Sequence, residues 1–315
     1  MRDSRSLIIA NYPRELALFA LVIILALTVR SFAELSNLTN VMLQLAPLLL
    51  LAAGQACVLL TGGIDLSQGA LMGLLSVVLV ASSPRVGMPA ALLLMTATAV
   101  GVGVVNGMLV ARFGLSPLVA TMATMFAVGG LSMYVTGGSP VTHIDQEGSL
   151  FFSMIADERI LGIPTAVIIA CGLLVLLWYL LRRTVLGLYI YAVGSNPSAA
   201  IVHGIPVGFV RVSAYVLSGV LTGAAATLLS ARVRQGNPHL GEGMLFDSIG
   251  GAVVGGVSLA GGVGSVWAVV RGVLLLGLIQ NSLYLSDLDS HIRDIAVGLL
   301  IIVAMIVGRS KERKE

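Results

Sequence analysis

The chain has 315 residues, of which 57% are hydrophobic and 10% charged, and its mean hydropathy is +1.00. A soluble domain of this length needs far more surface charge than 18 Lys plus Arg and 15 Asp plus Glu provide, so lipid must cover most of the surface. The basic residues lie between apolar spans and at the chain ends, which excludes a continuous nucleic-acid-binding patch and indicates membrane topology.

Apolar stretches of about 17 to 25 residues can cross a ~30 Å hydrocarbon core as helices. The sequence predicts ten such spans, of which the eighth is short and rich in glycine. We therefore expect an all-α, polytopic membrane protein with a single transmembrane domain over residues 1–315. The predicted spans are 15–30, 41–61, 66–82, 88–110, 117–136, 162–181, 208–230, 245–259, 265–284 and 292–308.

The basic residues of the short loops favour one orientation of these spans. With the N-terminus in the cytoplasm, eleven Lys and Arg residues fall inside and six outside. Ten spans then return the basic C-terminus to the cytoplasm, so both termini are predicted there. The same topology makes residues 137–161 and 231–245 external loops.

The segment TGGIDLSQGALMG, residues 61–73, interrupts an apolar block. Gly62 and Gly63 allow a tight turn, Asp65 can accept hydrogen bonds from the first N–H groups of the next helix, and Gln68 would complete a capping box. One interpretation is a capped hairpin between two spans. The other places this broken-helix junction on a translocation pathway, where a carboxylate and a helix start can meet a polar solute. The two interpretations are compatible.

A similar phrase, GGVSLAGG, occupies residues 255–262 and hints at an internal duplication. Pairs of glycines four residues apart also recur in the spans and allow close helix contact. They are Gly69 and Gly73, Gly103 and Gly107, Gly219 and Gly223, and Gly251 and Gly255.

Uncharged hydrogen-bonding residues within the spans are candidates for a solute pathway. Gln44 and Gln55 are eleven residues apart, which returns to nearly the same face of a helix. Amide and hydroxyl groups suit a neutral, hydroxylated solute, although each could equally bond one helix to another. The predicted pathway residues are Gln44, Gln55, Asp65, Ser67, Asn106, Thr121, Thr124, Gln280 and Asn281.

Four ordered motifs carry a resemblance that covers nearly the whole chain. They are TGGIDLSQGALMG, FGLSPLVATMATMFAVGGLSMYVTGG at 113–138, RRTVLGLYIYAVGSNPSAAIVHGI at 182–205 and GGVSLAGGVGSVWAVVRGVLLLGLIQNSL at 255–283. With these motifs the chain resembles the membrane-spanning permease subunits of bacterial ABC importers of the ribose and related monosaccharide type. It departs from that pattern at His203, Trp267, Ala268 and Arg271.

The resemblance implies a multi-pass protein of the bacterial cytoplasmic (inner) membrane. It also implies a channel of two permease subunits, identical or paralogous, with two cytoplasmic ATPase subunits and a periplasmic or extracellular sugar-binding protein. The chain would bind no cofactor, because ATP is used by the partner subunits. Its two lysines, Lys311 and Lys314, lie in the last five residues, so no GxxxxGK[ST] loop is possible. No enzyme motif and no metal-binding spacing of Cys and His occurs either.

Residues 195–206 are the candidate segment for energy coupling. Ser195 or Asn196 can begin a helix, with Pro197 in its first turn, and the pattern predicts a short surface helix over about 197–203. By resemblance this helix would dock in a groove of the ATPase. The residues assigned to coupling are Asn196, Pro197, Ser198, Ala199, Ala200, His203 and Gly204.

On the other side, the external loop that begins at residue 231 is polar and carries Arg232, Arg234 and Glu242. We expect these three charges to meet the binding protein, because charged rim contacts steer docking. Membrane anchoring is the alternative role for them. The loop at 137–161 could share either task.

Other function classes remain open at this stage. An ABC permease for branched-chain amino acids shares the DLS type of motif, although the longer GGxDLSxG match favours sugars. An ion-coupled secondary transporter would need intramembrane acids, for which Asp65 is the one plausible candidate. A structural membrane scaffold would leave the coupling-like loop unexplained.

Overall fold

The computed structural model describes residue 20, residues 22–286 and residues 292, 295, 298 and 299. The chain is almost entirely helical there, apart from one small antiparallel hairpin in which Arg159 faces Pro164 and Ile160 faces Ile163. The first helix, α1, is described over residues 22–28. The later elements are α2 (Leu35–Leu60), α3 (Gln68–Val86), α4 (Met88–Ala111), α5 (Pro117–Thr136), α6 (Gln146–Ala156), β1 (Arg159–Ile160), β2 (Ile163–Pro164), α7 (Thr165–Arg183), α8 (Val185–Ser195), α9 (Pro197–Val202), α10 (Val207–Val233), α11 (Met244–Gly255) and α12 (Val266–Leu285).

Seven of the described helices are long and apolar enough to cross a membrane: α2, α3, α4, α5, α7, α10 and α12. They match the predicted second to seventh spans and the ninth. The predicted eighth span, 245–259, is shorter than expected. Its helix α11 has 12 residues and is about 18 Å long, less than the ~30 Å of a hydrocarbon core. Apart from residues 292, 295, 298 and 299, the tenth predicted span lies outside the described residues, as does the N-terminal part of the first.

Helix α2 forms the centre of the bundle and packs against α7, α10, α11 and α12. Its C-terminal half is almost wholly buried, and from Leu50 to Leu60 every residue is buried. In the 61–73 segment, which follows α2 directly, Gly62 is exposed and the other residues are buried or half-buried.

Glycine allows two helix pairs to approach closely. A Cβ atom on Gly219 of α10 would overlap the carbonyl oxygen of Ala99 on α4, and one on Gly255 of α11 would overlap that of Ala268 on α12. The prediction of close helix contact is therefore confirmed for these pairs. Gly69 and Gly73 differ, because the backbone atoms nearest to them belong to the non-helical residues Gly241 and Pro238.

The bundle has two distinguishable ends. We call one the α9 end, where the last turn of α8 meets the end of α2 and residues 261–262, and where α9 follows α8. The opposite end carries α6, the β-hairpin and residues 234–243. There the backbones of Val141 and Gly236 exchange two hydrogen bonds of 2.7 and 2.9 Å.

Candidate translocation and coupling sites

Asp65 lies in the α2–α3 junction and is 1% exposed. Its Oδ1 accepts hydrogen bonds from the N–H of Ser67 at 3.0 Å and from the Ser67 hydroxyl at 2.5 Å. Its Oδ2 accepts from the hydroxyl of Ser218, on α10, at 2.8 Å. The carboxylate thus fixes the turn that precedes α3 and ties this turn to α10. Gly62 has φ +78°, as a tight turn at this position requires.

Gln68 does not complete the predicted capping box. Ser67 is the N-cap residue of α3, and the Gln68 amide turns inward to donate to the Leu51 carbonyl at 3.2 Å and the Ser218 hydroxyl at 2.9 Å. The N–H of Asp65 is bonded by Gln55 instead. With the Gln55 amide oriented to satisfy both its ends, its oxygen accepts from that N–H at 3.2 Å, and its nitrogen donates to the Asp65 carbonyl at 3.0 Å.

The network extends to α4, where Asn106 donates to the Ser67 hydroxyl at 2.8 Å. On α5, the Thr121 hydroxyl accepts from the N–H of Leu66 at 3.1 Å, while Thr124 donates to the Ala120 carbonyl of its own helix at 3.1 Å. Six predicted pathway residues therefore lie buried inside this subunit: Gln55, Asp65, Ser67, Asn106, Thr121 and Thr124. Sequence analysis missed Ser218, because a lone serine on an apolar helix gives no local signal.

The other three predicted pathway residues lie towards the opposite end of the bundle. The side-chain amides of Asn281, on α12, and Asn37, on α2, bond reciprocally at 2.9 and 3.0 Å. Gln280 donates to Asp247 of α11 at 3.1 Å. Gln44 is exposed, and its spacing from Asn37 places both on one face of α2. Asn37 and Asp247 were not among the predicted residues.

The predicted short helix at 197–203 is present as α9, which ends one residue earlier. The side chain of Asn196 accepts from the N–H of Ala199 at 3.0 Å and caps it. Ala200 packs inward at 3% exposure, whereas Val202 is 84% exposed. His203 follows the helix and is exposed. A small, capped, surface helix therefore presents apolar side chains outward at this end.

Directly before α9, Gly194 touches two other segments. A Cβ atom there would overlap the Leu60 carbonyl oxygen and lie 2.5 Å from the nitrogen of Gly262. That nitrogen also donates to Leu60 at 3.0 Å. The Tyr191 hydroxyl donates to the Gly264 carbonyl at 3.1 Å. The end of α8 is thus packed against Leu60, which directly precedes the first glycine phrase, and against Gly262, which ends the second, and we call this contact the glycine junction.

The two phrases also share a local turn. Asp65 accepts from the N–H two residues later, and Ser258, which aligns with it, accepts from the N–H of Ala260 at 3.2 Å. The hinted duplication therefore has a matching backbone feature at these positions.

At the opposite end, Arg234 forms an ion pair with Asp157 and donates to the Ser149 carbonyl at 3.3 Å. The two predicted external loops are thus joined to each other. Arg232 was predicted to lie in the external loop. It lies instead in the last turn of α10 and is half-buried. Glu242 is exposed and pairs with His239 at 2.5 Å.

A family model described as "Branched-chain amino acid transport system / permease component" matches residues 37–305. The chain belongs to this permease family. It is therefore a transport component and a multi-pass protein of the bacterial cytoplasmic membrane, and seven of its described helices are long and apolar enough to span one.

Among curated proteins, the ribose import permease protein RbsC of Bacillus subtilis (strain 168) is 37% identical over 298 residues, covering 94% of this chain and 92% of that protein. The fructose import permease protein FrcC of Rhizobium meliloti is 33% identical, covering 88% of this chain and 79% of that protein. The galactose/methyl galactoside import permease protein MglC of Escherichia coli (strain K12) is 32% identical, covering 96% of each chain. No solved structure matches this chain.

Proposed function

We propose that this chain is the membrane-spanning channel subunit of an ATP-driven importer for a sugar or sugar-like solute. The observation that carries the proposal is the near full-length similarity to permeases named for ribose, fructose and galactose import. The family description names branched-chain amino acids, which are the second candidate class. The names of these relatives favour sugars, as do the neutral amides of Gln44 and Asn281, which suit an uncharged solute better than a zwitterion.

In this proposal the full chain crosses the membrane ten times, with α11 and the irregular residues 256–259 together forming the eighth crossing. Both termini and the α9 end then face the cytoplasm. Partner ATPase subunits bind α9 there and supply the energy from ATP, while this chain binds no nucleotide. The side chains of Ile201 and Val202 are 63% and 84% exposed. They support such docking, because exposed apolar patches commonly mark the surfaces that a protein partner buries.

The polar face shared by α2 and α12 would line the pathway, and a second permease subunit, identical or paralogous, would complete it. The buried network around Asp65 would hold the α2–α3 junction in shape. The glycine junction would connect α9 to α2 and to α12. A movement of α8 and α9 would displace Leu60, at the end of α2, and Gly262, before α12. Alternating access would then follow from rocking of these rigid elements.

At the opposite end, a periplasmic or extracellular sugar-binding protein would dock on the joined loops. Arg232, Arg234 and Glu242 would contribute charged contacts that steer association and make it sensitive to salt. Weak solute binding by the channel itself is sufficient, because the binding protein selects the solute.

The test is uptake of labelled ribose into proteoliposomes that contain this chain, with and without candidate ATPase and binding-protein subunits. Uptake that requires ATP and both partners supports the proposal. Uptake of labelled leucine instead would favour the amino-acid class. Uptake by this chain alone under an ion gradient would overturn the importer function.

A further inference from the structure

A cavity of about 300 Å³ opens at the α9 end, and the proposed transport function leaves it unused. Its wall includes the backbone of Thr61, Gly62 and Gly63 at the α2–α3 junction, Ser116 in the α4–α5 loop, and Arg211 and Tyr215 on α10. Three separate segments of the fold therefore meet around one polar space. Small-molecule sites are typically about 300 to 1,000 Å³, so this cavity has room for a ligand of monosaccharide size.

Arg211 supplies the positive charge of the cavity. It stands four residues before Tyr215 and shares its helix face. Within the described part of the chain, the ion pairs of the structure join Arg234 to Asp157 and His239 to Glu242, so no carboxylate pairs with Arg211 there. Asp65 does not line the cavity, and hydroxyl groups bond both of its oxygens. The cavity wall is therefore cationic.

The remaining wall groups suit a hydroxylated ring. Tyr215 is 1% exposed and is held in place by the hydrogen bond from its hydroxyl to the Ile64 carbonyl at 3.3 Å. The Ser116 hydroxyl makes no capping bond to α5, although Ser116 occupies the N-cap position. An arginine fork matches the geometry of a phosphate group, and the hydroxyl and backbone groups can bond sugar hydroxyls.

We propose that this cavity binds a small phosphate monoester of a sugar and that this binding inhibits transport from the cytoplasmic side. The inference rests on the proposed function for the orientation of the chain and the class of solute. The ligand would arise when a sugar kinase transfers the γ-phosphoryl group of ATP to a hydroxyl oxygen of the imported sugar, with ADP as the leaving group and release of the hydroxyl proton. Import would then slow as its phosphorylated product accumulates.

The location of the cavity explains how a ligand could inhibit. Its walls belong to the α2–α3 junction, the α4–α5 loop and α10, and alternating access requires such segments to shift relative to one another. A ligand that bridges them in one arrangement and fits the others less well stabilises that arrangement. The turnover rate of the importer then falls in proportion to the fraction of molecules that the ligand holds in that arrangement.

Calorimetric titration of the purified full-length chain in detergent tests the site, with ribose 5-phosphate, ribose and inorganic phosphate as probes. We expect ribose 5-phosphate to bind at least tenfold more tightly than either other probe. Arg211→Gln should weaken it by about tenfold or more, because a charge-assisted hydrogen bond is lost. Ser116→Phe, which fills the cavity and keeps Arg211, should weaken it as well. Arg112→Gln removes an exposed charge that does not line the cavity and should leave binding unchanged.

Three results would overturn the proposal: equal affinity for inorganic phosphate, equal binding by Arg211→Gln, or loss of ribose 5-phosphate binding in nanodiscs of phosphatidylglycerol but not of phosphatidylcholine. The last would identify a lipid headgroup as the occupant. In the reconstituted importer, ribose 5-phosphate on the ATP side should lower uptake by the unmodified chain and not by Arg211→Gln. Absence of all uptake would contradict the proposed function, whereas the calorimetric titration would still decide whether the cavity binds the phosphate monoester. Equal inhibition of the unmodified chain and of Arg211→Gln would overturn the inhibitory role of the site.

Discussion

Gly194 and Leu60 are in backbone contact, so that a single methyl group on Gly194 would overlap the carbonyl oxygen of Leu60. The first residue lies in the last turn of α8, just before the proposed coupling helix, and the second ends α2 just before the TGGIDLSQG segment. A movement of Gly194 therefore displaces Leu60 directly, because close-packed backbone groups have no free space in which to absorb it.

Gly194→Ala tests this contact. We expect it to separate α8 from α2 and to lower ATP-driven uptake by at least tenfold, with a smaller loss of ATP hydrolysis by the partner subunits. The matched control is Gly172→Ala on α7, where an added Cβ meets no atom within 4 Å. Normal uptake by Gly194→Ala, measured in the same proteoliposomes, would show that the glycine junction does not carry coupling.

Asp65 should be essential to the stability of the junction. Asp65→Ala leaves the Ser67 hydroxyl and N–H and the Ser218 hydroxyl without their acceptor, and each unsatisfied buried group costs about 1 to 3 kcal/mol. We expect the unfolding temperature to fall clearly. Labelling of the buried Cys57 by a thiol-reactive dye measures unfolding, in a Cys171→Ser background because Cys171 is exposed.

Asp65→Asn distinguishes a structural role from a charge in the pathway. The variant keeps the shape and one acceptor oxygen, and the Ser218 hydroxyl can rotate to accept from the new amide. We expect most of the stability and most of the uptake to remain. Loss of uptake in a variant that unfolds at the normal temperature would instead indicate a direct role of the charge.

Gln44 and Gln55 should differ in accessibility, although they share a helical face. In the same Cys171→Ser background, Gln44→Cys should react with a membrane-impermeant maleimide, because Gln44 is exposed and lies towards the opposite end of the bundle. Gln55→Cys should not react, since Gln55 is 0% exposed. Protection of Gln44→Cys in the assembled importer, reversed during turnover, would support its place in the pathway. Equal labelling of both cysteines would contradict the packing described for α2.

The ion pair of Arg234 and Asp157 should matter for docking more than for folding. Exposed ion pairs contribute about 0 to 1 kcal/mol, so Arg234→Asp should barely change the unfolding temperature. We expect it to reduce the stimulation of ATP hydrolysis by the binding protein. The exchange Arg234→Asp with Asp157→Arg should restore part of it, whereas Arg85→Asp serves as the charge control. Unchanged stimulation in Arg234→Asp would exclude Arg234 from the docking surface.

The sequence by itself determined the membrane class, most of the described spanning helices and the capped helix α9. These features depend on neighbours along the chain: apolar runs of sufficient length, and Asn196 followed by Pro197. The turn at Gly62 was predictable for the same reason. Such local preferences favour these elements before any tertiary contact forms, and the tertiary packing of this chain does not reverse them.

Only the tertiary structure decided which polar groups face outward. Gln55 and Gln44 obey one periodicity, but the packing of the bundle buries the C-terminal half of α2 and leaves Gln44, in its N-terminal half, exposed. Gln68 turns from its predicted cap to Ser218, 150 residues away. Gly194 meets Leu60 and Gly262 across three segments. Burial and hydrogen-bond partners at these sites depend on residues far away in the sequence, and the physical reason is that a buried polar group takes whichever partner the fold places within reach.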